Sequence, residues 1–178
     1  MTLLYRIQQG VDALLAFTQA VDYDLVSQHL TNTQMTLFKQ MAKSDQLHSV
    51  SVLRDVLAQA DETPHDLAVA ALLHDCGKAR KHLSVWERTV SVIIATVFKR
   101  LDDHLSVDDI GEGEVRTWRA PFIVRRHHPA WGGTLLTSAG ASERAIWLVT
   151  HHADDEVSWL EHAYHDLLVR LQIADDAN

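Results

Sequence analysis

The chain combines long apolar periodicities with very few residues that interrupt helices. Its 178 residues include only three prolines and seven glycines. Between these breakers, apolar residues recur at intervals of three and four, as on one face of a helix. The first example is the series Leu4, Ile7, Val11 and Leu14 within residues 3–20. The pattern predicts an all-α fold, and the length fits one domain with a sizeable core.

Residues that cap or interrupt helices mark the predicted boundaries. Ser44 or Asp45 would cap a helix that ends near Leu57, and Pro64 would take the first position of the helix that leads to residues 74 and 75. The segment 102–114 is rich in acidic residues and is interpreted as a loop, either a plain connection or a lid. Further helices are predicted over residues 84–101, after the cap Ser142 as far as 151–152, and over 156–173.

One apolar segment ends in a pattern that indicates metal binding. Residues 70–78 read AALLHDCGK, so a buried helix would end at His74 and Asp75. The pair offers one imidazole nitrogen and a carboxylate that can bridge two cations, a mixture that suits Mn, Fe, Co, Zn or Mg. Lys78 lies four residues after His74, on the same face if the helix continues, where it could meet a phosphate oxygen. The alternative is an ordinary helix end with a hydrogen-bonded histidine.

Other candidate ligands share a position at the end of an apolar helix or in a turn between helices. Pro129 restricts the residue before it, His128, to an extended or turn conformation. Neighbouring helical residues point about 100° apart, so if only one of His151 and His152 binds an ion, the other would contact substrate or orient a ligand. The complete candidate set is His48, His74, Asp75, His128, His151, His152 and Asp175.

Charge and cysteine content exclude several classes of protein. The formal net charge of −8 argues against a nucleic-acid backbone as the main partner. The single cysteine, Cys76, excludes an internal disulfide and fits a reducing cytoplasm; it is either a small buried residue or a ligand. No signal peptide is recognised, and the most apolar run, Val90 to Phe98, is too short to span a bilayer. We therefore expect a cytoplasmic protein without membrane contact; its oligomeric state stays open.

The ordered histidines and aspartates resemble the HD superfamily of metal-dependent phosphohydrolases. That family's pattern is a histidine, a His-Asp pair and a distant aspartate. Here it matches His48 in LHSVSVLRDVL, His74 and Asp75 in LLHDCGK, and Asp175 in IADDA. The segments HHPAWGGTLL and LVTHHAD are similar to the second-metal motifs of two-metal HD branches, including HD-GYP proteins.

The resemblance implies a single HD-domain helical bundle. Its metal-site core would cover about 47–176, with N-terminal helices over 3–43 packed on it. Two divalent ions are implied, with Fe or Mn as the favoured metals and Mg, Co, Zn or Ni as alternatives. Asp75 would bridge an ion held by His48, His74 and Asp175 and an ion held by His128, His151 and His152. Two such ions activate a water molecule against a phosphate ester or anhydride, and Lys78, Arg125 and Arg126 would contact phosphate.

The expected substrate is a nucleotide or another small phosphorylated compound, and the chain departs from the family's pattern at two points. The Gly-Tyr-Pro signature is absent, since Ala153 and three acidic residues follow the paired histidines, and Ser44 stands where trinuclear members have glutamate. Both argue against cyclic-di-GMP hydrolysis and a third metal. The alternatives are a non-catalytic HD-fold nucleotide-binding regulatory module and an HD-fold oxygenase with a mixed-valent di-iron centre.

Overall fold

The structure, a computed structural model, describes residues 19–80 and 120–178. Within these two ranges it contains α-helices, two 3₁₀ helices and turns, with no β-strand, so the all-α prediction is confirmed. The α-helices are α1 (Tyr23–Ser27), α2 (Asn32–Gln40), α3 (Lys43–Ala58), α4 (His65–Leu73), α5 (Ala120–Ser138), α6 (Glu143–His151) and α7 (His165–Ala177). The 3₁₀ helices are Cys76–Arg80 and Glu156–Trp159.

Several predicted elements fall outside these ranges. The helix predicted over 84–101 and the loop over 102–114 lie outside the described residues, as does the helix over 3–20 except for its last two positions. In the part of the chain that the structure describes, no helix combines the length and apolar character that a membrane span requires.

Helix α4 is the centre of the core. Each of its residues 67–73 is at most 2 % exposed. It packs against α3, α6 and α7, while α5 packs on α6 and on the 3₁₀ helix that follows α4. Removal of so many apolar side chains from water stabilises this arrangement. The carboxyl end of α4 therefore lies where the surrounding helices meet.

The predicted caps are partly correct. The Ser142 hydroxyl accepts a hydrogen bond from the Ala145 amide at 3.1 Å and caps α6 as predicted. The cap predicted for α3 is wrong, because the helix begins at Lys43 after Ala42, which forms no side-chain cap. Asp45 instead lies inside the first turn, where its negative charge complements the partial positive charge of the helix terminus.

Two helix predictions near the carboxyl terminus are also corrected. Residues 156–173 do not form one helix, since α7 begins at His165 after a separate 3₁₀ helix. The break allows Trp159 and His162 to pack against Trp147 of α6, with ring centroids 5.3 and 3.9 Å away. This aromatic packing outweighs the helical periodicity of the segment.

Helix α5 continues through Pro129, so the extended or turn conformation predicted at His128 is wrong. An internal proline removes one backbone hydrogen bond, here the bond to the Arg125 carbonyl. That carbonyl accepts a hydrogen bond from His128 Nδ1 instead, at 2.9 Å. Packing of α5 on α6 and on the 3₁₀ helix after α4 offsets the remaining cost.

Candidate metal centre

The candidate centre begins where α4 ends. His74 is the C-cap of α4 and Asp75 follows it, with side chains only 1 % and 5 % exposed. A polar pair at this depth requires partners, because an unpaired buried carboxylate is strongly disfavoured. Those partners come from five other elements, which carry His48, Lys78, His128, His152 and Asp175.

His48, His74 and Asp175 form the first donor group, which we call the partly exposed group. Asp175 Oδ1 lies 2.8 Å from His48 Nε2 and 3.4 Å from His74 Nε2. His48 belongs to α3 and Asp175 to the last turns of α7, and their side chains are 27 % and 31 % exposed. The three ligand atoms lie within 4.8 Å of one another, which is close enough to hold one metal ion.

Asp75, His128 and His152 form the second, buried group. Asp75 Oδ1 lies 3.3 Å from His128 Nε2 and 3.9 Å from His152 Nε2. All three side chains are at most 8 % exposed, and their ligand atoms also lie within 4.8 Å of one another. The other oxygen, Asp75 Oδ2, lies 3.5 Å from His74 Nε2. One carboxylate thus faces both groups.

Backbone carbonyls fix the orientation of the three buried imidazoles. The Nδ1 atoms of His74 and His152 donate to the carbonyls of Ala71 and Val149, at 3.0 and 2.8 Å. His128 Nδ1 donates to two carbonyls of α5. With hydrogen on Nδ1, each neutral ring presents the lone pair of Nε2 to the centre.

The Nε2 atoms that face the centre fit a metal ion. His74 Nε2 is buried without a hydrogen-bond partner among the described residues. His128 Nε2 and His152 Nε2 are 3.2 Å apart, so two neutral rings would oppose their lone pairs across that gap unless a proton or cation lies between them. Nitrogen and carboxylate donors without a thiolate are the ligands of borderline and hard divalent metals.

The electrostatics of the centre keep both carboxylates ionised. Burial opposes ionisation of Asp75, but Lys78 and His74 outweigh it and hold the pKa of this carboxyl well below its usual range. Burial likewise opposes ionisation of Asp175, but its hydrogen bond with His48 and the nearby imidazole of His74 outweigh burial and lower the pKa of this carboxyl. Each carboxylate is therefore available as a charged ligand.

The imidazoles have divergent pKa values. Burial, together with repulsion from His74 and His128, lowers the pKa of His152 to about 3. Burial also opposes protonation of His74, but the charges of Asp75 and Asp175 outweigh it and raise the pKa of that ring. His152 is consequently neutral, the form in which histidine binds a metal.

A close backbone contact brings Asp75 and His128 together. A Cβ atom on Gly77 would lie only 2.0 Å from the His128 carbonyl oxygen and 2.8 Å from the Gly132 amide nitrogen. Glycine is thus required for the 3₁₀ helix to approach α5. Cys76 beside it lies in neither donor group; burial and the charge of Asp75 raise the pKa of its thiol to about 12.

The structure brings six of the seven predicted metal ligands into the two groups and leaves His151 outside both. His151 Nδ1 lies 2.7 Å from Asp154 Oδ2, which also accepts a hydrogen bond from Trp159 Nε1 at 3.1 Å. The three residues predicted to contact phosphate lie in two different places. Lys78 Nζ lies 2.5 Å from Asp75 Oδ2, whereas Arg125 and Arg126 lie exposed on α5.

Sequence reasoning missed residues that hydrogen-bond to the backbone or side chains of the candidate histidines. Gln172 Nε2 donates to the His152 carbonyl at 3.0 Å and to the Asp154 carbonyl at 2.8 Å, and so links α7 to the turn after α6. Asp154 plays a similar part for His151, because its carboxylate contacts the imidazole of that residue. The only sequence signal for Asp154 is its place three residues after that histidine.

A cavity of about 520 Å³ opens beside the centre. One residue of each donor group contributes to its wall, namely His152 and Asp175. The rest of the described lining is largely acidic or apolar: Ala153, Asp154, Glu156, Val169, Gln172, Ile173 and Asp176.

Comparison of the chain with models of known families, with curated proteins and with solved structures found no match.

Proposed function

We propose that this protein is an HD-type metal-dependent phosphohydrolase with two divalent ions, one at each donor group. The observation that carries the proposal is the convergence of four histidine Nε2 atoms and two carboxylates from five helices. Within residues 19–80 and 120–178, the buried His74 Nε2 atom has no hydrogen-bond partner. Iron or manganese are the favoured ions, with Mg, Co, Zn and Ni as alternatives, because the donors are nitrogen and oxygen.

The chain's own residues divide the work of such a site. His48, His74 and Asp175 would hold one ion, and His128 and His152 the other. Asp75 would serve both, since Oδ1 faces His128 and Oδ2 faces His74. When bound, the ions supply positive charge for phosphoryl oxygens and lower the pKa of a water molecule.

The acidic wall of the cavity supports metal dependence. The described lining includes Asp154, Glu156, Asp175 and Asp176, whose negative charges would repel a phosphate. Divalent ions at the two groups would reverse that local charge. Lys78, with its ammonium at Asp75, is the nearest candidate for an additional phosphate contact, and Arg125 and Arg126 are further candidates on α5.

The substrate class that we propose is a phosphate ester or anhydride of a nucleotide or another small phosphorylated compound. The reducing cytoplasm is the proposed compartment, where the single cysteine would remain a thiol. Nucleic acid is not proposed as a partner, given the net charge of −8. A membrane is not proposed either, in line with the short apolar runs of the sequence.

Two adjacent histidines offer a matched test. His152→Asn removes a proposed ligand, whereas His151→Asn makes the same chemical change at a residue that contacts Asp154. We expect about two equivalents of Fe or Mn per chain in untagged protein and in the His151 variant, and the loss of at least one equivalent in the His152 variant. Metal content is measured by plasma mass spectrometry, and hydrolysis with a panel of phosphate esters.

The outcomes separate the hypotheses. Protein that takes up no metal after reconstitution, or a His152 variant that keeps full metal content and activity, would refute the proposal. Tight binding of a nucleotide without turnover in any metal form would favour the regulatory module. Metal-dependent hydrolysis that is lost only in the His152 variant would support the enzyme.

A further inference from the structure

The bridging carboxylate already has a cationic partner within the protein. Lys78 Nζ lies 2.5 Å from Asp75 Oδ2, and the Asp75 side chain is only 5 % exposed. Lys78 reaches it from the 3₁₀ helix three residues later in the chain and is itself 30 % exposed. A short contact between an ammonium and a buried carboxylate is a strong, charge-assisted hydrogen bond.

The two oxygens of Asp75 are in different surroundings. Oδ2, which Lys78 contacts, is also the oxygen that lies 3.5 Å from His74 and faces the partly exposed group. Oδ1 faces the imidazoles of His128 and His152. Lys78 therefore occupies the oxygen that Asp75 would offer to an ion in the partly exposed group, while Oδ1 remains with the buried group.

The partly exposed group is also paired within itself. Asp175 Oδ1 lies 2.8 Å from His48 Nε2 and 3.4 Å from His74 Nε2. In the buried group, by contrast, the closest contact is between the two facing nitrogens of His128 and His152. An ion entering the partly exposed group must separate the 2.8 Å contact between Asp175 Oδ1 and His48 Nε2, whereas the shortest carboxylate contact of the buried group, between Asp75 Oδ1 and His128 Nε2, is longer at 3.3 Å.

We propose that Lys78 is an internal counter-ion of the metal-free centre, and that an ion entering the partly exposed group displaces it from Asp75 Oδ2. An ammonium and a divalent ion repel each other at this distance and compete for one oxygen. The buried group is consequently filled first. The displaced ammonium becomes available to a phosphate oxygen, so occupation of the second site prepares phosphate binding. This inference rests on the metal centre of the proposed function.

Lys78→Met tests the displacement, with Arg80→Gln as the matched control. Arg80 belongs to the same 3₁₀ helix and carries the same charge, but its guanidinium lies 5.1 Å from the ring centre of Trp131. In calorimetric titrations with Mn²⁺, Lys78→Met should bind the second, more weakly held ion about tenfold more tightly than the parent does. Arg80→Gln should change the affinity for that ion by less than about threefold. In a His48→Asn background, which impairs the partly exposed group, Lys78→Met should leave the remaining ion nearly unaffected.

The sign of the effect distinguishes displacement from support. A tenfold gain in affinity corresponds to about 1.4 kcal/mol, so metal-free Lys78→Met should be less stable than the parent by that amount, while the loaded forms should be equally stable. A lysine that only supports the fold would lower metal affinity when removed. Unchanged or weaker Mn²⁺ binding in Lys78→Met overturns the inference and leaves the phosphohydrolase proposal intact. Absence of Mn²⁺ binding in the parent overturns both.

A measurement on the parent protein covers the case in which Lys78→Met does not fold. Acetic anhydride labels accessible lysine amines, and peptide mass spectrometry reports each site. We expect labelling of Lys78 to increase when the second equivalent of Mn²⁺ is added, because its contact with Asp75 is broken. Labelling that is unchanged, or that falls, contradicts displacement.

Discussion

Pro129 gives the most specific prediction about how the ligands are positioned. It lies inside α5 and has no amide hydrogen, so the Arg125 carbonyl lacks the backbone donor that a continuous helix would supply. His128 Nδ1 donates to that carbonyl at 2.9 Å and to the Val124 carbonyl at 3.1 Å. The proline thus makes the Arg125 carbonyl available to His128, and this hydrogen bond orients a candidate metal ligand.

Pro129→Ala should lower metal affinity without unfolding the protein. The new amide would compete with His128 Nδ1 for the Arg125 carbonyl. Loss of a hydrogen bond that orients a ligand typically costs 10- to 100-fold in affinity, and because the Val124 carbonyl remains, we expect about tenfold. Alanine is favoured over proline inside a helix by about 3 kcal/mol. Loss of two buried methylenes, about 0.8 kcal/mol each, leaves a net gain of roughly 1 kcal/mol in the metal-free protein.

Pro121→Ala is the matched control. Pro121 lies in the same helix about two turns before Pro129, so a new amide at position 121 cannot compete for the Arg125 carbonyl. This variant should therefore leave metal affinity unchanged. The measurements are urea unfolding of metal-free protein and competition for Mn²⁺ with a chelating dye. Pro129→Ala with the affinity of the parent, or with a loss of stability above about 2 kcal/mol, would refute the reasoning.

Two further predictions concern packing and pH. Gly77→Ala should cost about 1–3 kcal/mol and weaken metal binding, because its Cβ would lie 2.0 Å from the His128 carbonyl oxygen. Gly140 has a positive φ of 68°, and no atom of the described residues would lie within 4 Å of an added Cβ, so Gly140→Ala should cost about 1 kcal/mol and leave metal binding unchanged. Urea unfolding and dye competition test both variants, and equal metal affinities would contradict this prediction. Metal-free protein should lose stability as the pH falls below about 6.5, since unfolded His152 then takes up a proton that the folded ring, with a pKa of about 3, does not. The slope should approach 1.4 kcal/mol per pH unit, about the value for one proton, and should flatten in His152→Asn; a slope that persists there would contradict this assignment.

Local signals predicted much of the fold. The apolar run over 67–73 is the buried helix that it suggested, and Ser142 caps α6. Local signals failed where contacts distant in the chain prevailed. The segment 156–173 has helical periodicity, but packing on Trp147 divides it. Pro129 looked like a helix boundary, yet its missing hydrogen bond is offset by packing and by His128.

The sequence by itself determined the chemistry available to this protein. It set the helical periodicity, the supply of imidazoles and carboxylates, and their places at helix ends. Only the tertiary structure decided which of these side chains meet. His48 and Asp175 are separated by 127 positions, and their 2.8 Å contact depends on how α3 and α7 pack against α4. The same packing brings His152 into the centre and leaves His151 outside. It also places Asp75 Oδ2 against Lys78 and Asp75 Oδ1 against the buried imidazoles. Spacing along a chain fixes the face of a helix on which a residue lies, whereas distances between helices follow from the packing of the whole core.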